Sequence, residues 1–179
     1  LGVPFQGFEA HTEVGGLWNI DNPRSTVYES AHLISSKHTT EFTEFPMRAD
    51  VADYPSHREM RQYFMDFADH FGLRPLYWFG TRVLKVEPVG EGAAPLWRIT
   101  WSQHGGPAQT AEFKGVVIAN GTLAEPNMPQ FEGQFDGELL HTSAYKSAEL
   151  FKDKRVLVVG AGNAGCDIAV DAVHYARSV

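Results

Sequence analysis

The sequence predicts an α/β fold organised around a dinucleotide-binding βα unit. Three observations carry that expectation. A short apolar run, Arg155 to Val159, feeds straight into GxGxxG at Gly160, Gly162 and Gly165. An Ala-rich helical pattern follows from about Asn163 to Arg177, and a second apolar run, Gly115 to Ala119, reads as a fully buried strand. Each glycine of the motif has its own physical role. Gly160 permits the turn, Gly162 lets a pyrophosphate approach the backbone, and Gly165 lets the helix pack on its strand. The orphan N–H groups and positive dipole end of the new helix then face the phosphates. The competing reading is a compact βα corner with no ligand.

Taken in order, Val3 to Glu9 alternates as a half-buried strand with Phe5 and Phe8 as its large apolar members. It ends on an acid, Glu9. At the end of the second strand of a dinucleotide-binding fold, about 20 residues past the glycine turn, such an acid accepts hydrogen bonds from ribose hydroxyls; the alternative is a solvated strand-end glutamate. Gly15 and Gly16 then make either a turn or a surface for a flat ligand, and Trp18 either stacks on a ring or plugs the core. Ser25 to Phe42 reads as a short helix and a loop. Ser56 and Glu59 form a capping box ahead of Met60, Tyr63, Phe64, Phe67 and Phe71, which predicts a helix from about His57 to Phe71, stopped by Gly72. Asp66 and His70, four apart on it, suit a surface pair.

Strand patterns occupy Leu76 to Val89, and Leu96 to Trp101 with Thr110 to Phe113 predicts a hairpin around Gly105 and Gly106. Asn120 and Gly121 end the Gly115 to Ala119 run, at the strand edge where open α/β folds place ligands, or as a plain turn. Pro126 to Gly137, rich in proline and glycine, is the candidate domain connection.

Composition narrows the partners. With 179 residues the chain can hold one sizeable core and part of a second. The net charge of −7 argues against a nucleic-acid groove or an anionic membrane surface, and no run approaches the ~18 apolar residues of a membrane span. Cys166 is the single cysteine, which leaves no disulfide, Cys zinc site or redox dithiol within the chain and suits a reducing, cytoplasmic setting. The eight histidines show no ligand-type pairing, so no metal site is expected. Leu1 opens without an initiator Met or a signal-like segment, and Val179 follows closely on the predicted helix. The expectation is a piece of a longer polypeptide.

Phe135, Gly137, His141 and Tyr145 spell FxGxxxHxxxY shortly before Gly160. That pattern resembles the identifying sequence of the flavin-containing monooxygenases. Glu9 with Gly15, Gly16, Leu17 and Trp18 is similar to the family's EAxxxxGGLW stretch, Phe45, Pro46 and Met47 to its FPM, Ala119 to Gly121 to its ATG strand end, and Gly160 to Ala169 to its GxGNSGxDIA turn. The matches run through the whole chain in order. The resemblance implies two Rossmann-like dinucleotide-binding domains, an FAD domain interrupted by an NAD(P) domain. Residues 1–146 would be part of the FAD domain without its first glycine turn, and 147–179 the opening of the NAD(P) domain.

Carried over residue by residue, the resemblance implies that Glu9 holds the FAD ribose, that Gly15, Gly16, Leu17 and Trp18 line the flavin side, and that Val83 meets the adenine through its backbone. Gly121 would end the ligand-side strand. Gly160, Gly162, Asn163, Ala164, Gly165, Cys166 and Asp167 would serve the pyrophosphate of NADPH or NADH. The implied chemistry is reduction of FAD by the nicotinamide, reaction with O₂ to a C4a-hydroperoxyflavin, and oxygen transfer to a small-molecule substrate: a soft nitrogen or sulfur nucleophile, or a ketone. The flavin does the hard chemistry, and no acid–base constellation is visible. His141 and Tyr145, four apart, fit a link between the domains better than proton transfer.

Two departures stand out. Where the family has an Asn able to hydrogen-bond the peroxyflavin, this chain has Ile34, which cannot donate. Either Ser35 or His32 supplies the contact, or the hydroperoxide is held differently and leaks more readily to H₂O₂. Asn120 in place of the family's usual Thr is the milder departure, and the Tyr145 that closes the pattern, rather than Trp, resembles the heteroatom-oxidising group. The alternatives are a non-catalytic fragment that needs the remaining part of the same enzyme, and a flavin disulfide reductase, which would require the paired cysteines this chain lacks. Homo-oligomer formation is left open.

Overall fold

The computed structural model describes residues 2–90 and 96–179. Contacts divide the chain into two units, Leu1–Gly16 with Phe64–Asn120, and Leu17–Tyr63 with Gly121–Val179.

In the first unit, β1 (Gly7–Phe8) pairs in parallel with β2 (Tyr77–Trp78). The pairing continues past the named strands: the Glu9 amide donates to the Trp78 carbonyl at 3.1 Å and the Thr81 amide to the Glu9 carbonyl at 2.8 Å. Phe8 carries the packing, its ring centroid 5.5 Å from Trp78, 5.2 Å from Trp101 and 6.0 Å from Phe113. The predicted strand is thus shorter than Val3 to Glu9. Val3 is exposed and Phe5 reaches only the edge of Tyr77, because no described strand lies beside residues 3–6.

Three strands form an antiparallel meander, β3 (Thr81–Val89), β4 (Leu96–Gln103) and β5 (Ala108–Phe113), in the order β3-β4-β5. β4 is central and buries Ile99 and Trp101. The expected β4–β5 hairpin is present, its loop turning at His104 (φ 49°) and Gly105 (φ 73°). A register shift between Val83 and Lys85 bulges β3 at Leu84.

The expected buried strand at Gly115 to Ala119 is a correction. The segment makes no ladder, Val117 is 92% exposed and Ile118 73% exposed. A β-branched run is buried only when neighbours cover it, and none of the described strands does.

The second unit holds two helices and the start of another. α1 (Lys37–Thr40) is a single turn. α2 (His57–His70) begins in this unit and ends in the first. The capping box is reciprocal: the Ser56 amide donates to Glu59 Oε2 at 2.8 Å and the Glu59 amide to Ser56 Oγ at 3.3 Å. The Ser56 amide and the Ser56 hydroxyl, which also donates to Glu59 Oε2 at 2.8 Å, hold the Glu59 carboxyl below its usual range. Gly72 at φ 60° stops the helix, as expected. Tyr63 binds the FPM stretch, its hydroxyl donating to the Phe45 carbonyl at 2.7 Å and accepting the Phe42 amide at 2.8 Å.

α3 (Asn163–Val173) is shorter than the expected helix to Arg177. The chain after it turns back and pairs in parallel with the run before the glycines: Arg155 bridges Ser178, the Val156 amide donates to the Ser178 carbonyl at 2.9 Å, and the Arg177 amide to the Lys154 carbonyl at 2.8 Å. A β-α-β return therefore begins inside this chain. The core of this unit joins Val27, Tyr28, Ala31, Tyr145, Ala148 and Ile168, with Trp18 and Phe151 packed against it.

Candidate dinucleotide turn

The loop between the Arg155 to Val159 run and α3 has the geometry its glycines suggest. Gly160 sits at φ 115°, outside the range an L side chain tolerates. A Cβ on Gly165 would lie 2.6 Å from the Gly160 carbonyl oxygen, so the third glycine closes the loop on the first. A Cβ on Gly162 would meet nothing within 4 Å. The backbone there faces open space, which is what a ligand's close approach needs. Gly162 is also the N-cap of α3, with no side chain bonding the first-turn amides, and the first helical bond runs from the Cys166 amide to the Gly162 carbonyl at 3.0 Å. The amides of Asn163 to Gly165 thus have no intrahelical acceptor, and the positive end of the helix dipole lies among them. Such a cradle fits a pyrophosphate.

Asp167 turns the other way. Its Oδ2 accepts the Tyr28 hydroxyl at 2.7 Å. One turn on, Asp171 Oδ2 accepts the Tyr145 hydroxyl at 2.8 Å and Ser30 Oγ at 2.5 Å. The two tyrosine rings are 5.4 Å apart, and Tyr145 stacks on Phe151 at 5.3 Å. Burial first, and then the carboxylates, push both phenols well above their ordinary range, so each remains a protonated donor. Next to Tyr145, Lys146 Nζ donates to the Ser25 carbonyl at 2.8 Å and to that of Val27 at 3.0 Å, while burial lowers its pKa.

The FxGxxxHxxxY residues divide their labour. The Phe135 ring lies where a Cβ on Gly137 would stand. His141 Nδ1 accepts the Ser143 amide at 3.2 Å and caps the turn Thr142–Ala144. Tyr145 is 1% exposed at the core.

A family model described as flavin-binding monooxygenase-like matches residues 2–179. The chain belongs to that family. Flavin-containing monooxygenase 1 of Homo sapiens is 34% identical over 181 residues, covering 96% of this chain and 34% of the human protein. Among solved structures, ε-caprolactone-bound cyclohexanone monooxygenase superposes with a TM-score of 0.75 at 27% identity, over 99% of this chain and 34% of that one. OTEMO in complex with FAD and NADP superposes with a TM-score of 0.71 at 27% identity, over 96% of this chain and 33% of that one. The chain spans about a third of the length of the curated relatives it matches. These flavin-dependent neighbours carry the Rossmann-like α/β fold expected from the sequence.

Within the family frame, the remaining expected residues fall into separate places. In the first unit, Glu9 directly follows β1 and is half-buried, with Oε1 held by the His11 amide at 2.7 Å. A shallow cleft nearby is lined by Ala10, Thr12, Gly80, Arg82, Leu84 and His104. Val83 lies on β3 beside the bulge, and Gly15 sits at φ 119° and Gly16 at φ 49°. In the second unit, the Leu17 carbonyl accepts Ser25 Oγ at 2.5 Å, and Trp18 packs on the core. Ser35 is exposed and shares a 3.0 Å hydrogen bond with Thr40, while Ile34 is 67% exposed. Gly121, at φ 73°, is exposed. The tyrosine–aspartate bonds to α3 escaped sequence reading. Their one signal was the i, i+4 spacing of Asp167 and Asp171, beside the buried Ile168 and Ala172.

Proposed function

We propose that this chain is the part of an NAD(P)H-dependent FAD monooxygenase that carries the FAD-side segment, residues 1–146, and the opening of the nicotinamide site, residues 147–179. The substrate class is a small molecule with a soft nitrogen or sulfur atom, with a ketone as the alternative. The observation that supports this best is the Gly160 to Gly165 cradle at the start of α3, whose strand is rejoined in parallel at Ser178. Bound FAD would supply the redox and oxygen chemistry, with the nicotinamide as its electron source. In that frame the amides of Asn163, Ala164 and Gly165 would hold the pyrophosphate of the nicotinamide cofactor, Gly162 would leave room for it, and the Glu9 carboxylate would take the ribose hydroxyls of FAD. Cys166, exposed on the first turn, borders the same site. Trp18, packed on the core, shapes the wall of the flavin site. The single cysteine favours a cytoplasmic setting and disfavours the disulfide-reductase reading.

The test is an absorbance spectrum of the complete polypeptide that carries these residues, titrated with NADPH and then NADH in air. A flavin band bleached by either reductant, with O₂ uptake that rises when a tertiary amine or thioether is added, is the expected result. Uptake that rises with a cyclic ketone instead selects the alternative substrate. A protein that binds no flavin when FAD is added sinks the reading.

A further inference from the structure

We infer that Asp171, with Tyr145 and Ser30 as its donors, is a positioning residue that sets the direction of α3 and hence of the Gly160 to Gly165 cradle. The inference rests on the function proposed above. Two stretches of the second unit bond to one face of α3. Tyr28 and Ser30 come from the segment that follows Leu17 and Trp18, Tyr145 closes the FxGxxxHxxxY stretch, and the two aspartates stand one helical turn apart. Lys146 ties the two stretches together through the Ser25 and Val27 carbonyls, and Ser25 in turn holds Leu17.

Ile168 and Ala172 anchor α3 in the apolar core, but dispersion contacts carry less directional preference than hydrogen bonds. Hydroxyl-to-carboxylate bonds are directional and strong. Asp167 and Asp171 accept from donors on two separate stretches, so rotation of α3 would break both sets at once. Tyr145 and Tyr28 are buried as residues, and a broken bond costs each hydroxyl its carboxylate partner. The helix start, and with it the aim of the first-turn amides, is thereby tied to the stretch that carries Leu17 and Trp18.

The experiment uses the complete polypeptide with Tyr145→Phe, Asp171→Ala and Asp171→Asn, read by thermal midpoint, NADP⁺ affinity from calorimetry, and the limiting anaerobic rate of flavin reduction by NADPH. Asp171→Ala is expected to weaken NADP⁺ binding and slow limiting reduction by about tenfold or more each, since a small misplacement of a reacting group is costly. Tyr145→Phe keeps the ring packing and should show the same two losses in smaller measure. Asp171→Asn retains an acceptor oxygen and should recover most of both. If Asp171→Ala does not fold, Tyr145→Phe decides. Variants that lose thermal stability while keeping NADP⁺ affinity and limiting rate within about twofold of wild type overturn the inference alone. A wild-type protein that binds neither FAD nor NADP⁺ overturns the proposed function and this inference together.

Discussion

Gly160 and Gly165 illustrate how a single missing Cβ controls a binding loop. At φ 115° any side chain on Gly160 is strained by about 1–3 kcal/mol, and Gly165→Ala drives a methyl against the Gly160 carbonyl. Gly165→Ala is expected to weaken NADP⁺ binding in a calorimetric titration while leaving FAD content unchanged; equal loss of both would point to general unfolding. His57, 2% exposed at the head of α2, makes a different prediction. Burial, with Arg58 beside it, pushes its pKa below the ordinary histidine range. The unfolded chain therefore takes up the proton more readily than the folded one. Its contribution to stability is complete above the unfolded value of about 6.5 and is lost as the pH falls from there through the depressed folded value. Urea midpoints measured from about pH 8 down to pH 5 should decline on the acid side, and His57→Leu should flatten that decline. An unchanged slope would place the acid sensitivity elsewhere.

At the scale of elements, α2 and α3 are stabilised in contrasting ways. α2 is a helix its own sequence specifies: the Ser56–Glu59 box closes its start and Gly72 its end. Ser56→Ala should cost about 1 kcal/mol, and Glu59→Ala made on top of it should cost less than it does alone, because the two side chains serve each other. A urea double-mutant cycle measures both; strictly additive losses would mean the box is not coupled. α3 has no side-chain cap at all. It depends on Ile168 and Ala172 in the core and on the tyrosines that reach its aspartates. Leaving its first amides without protein partners keeps them available to an anion.

For the molecule as a whole, exposed apolar side chains are spread along the chain, and the two most exposed, Val117 at 92% and Leu157 at 85%, lie on two extended segments. Val117 and Ile118 stand on one, and Leu157 (85% exposed) and Val159 (68%) on the other. Both runs are rich in β-branched residues, and although the second pairs with Ser178 on one side, each keeps an edge unpaired among the described residues, of the kind that pairs with other chains. A polypeptide of these 179 residues is expected to bind a hydrophobic dye and to self-associate on gel filtration. A monomeric, dye-silent product of that length would contradict the expectation.

Much of this was legible in the residues themselves, where the responsible physics is local. Periodicity and capping marked α2, alternation and glycines marked the β4–β5 hairpin, and the glycine spacing marked the turn before α3. The order of motifs along the chain was enough to place it in its family. What the sequence could not determine depends on partners distant along the chain. Whether Gly115 to Ala119 is buried is decided by its neighbours, and among the described residues none covers it. The end of α3 and the parallel return at Ser178 rest on pairing with Lys154 to Val156, which no local pattern announces. The use of Asp167 and Asp171 was likewise hidden, since a carboxylate's role follows from which hydroxyls the folded backbone brings within about 3 Å of it.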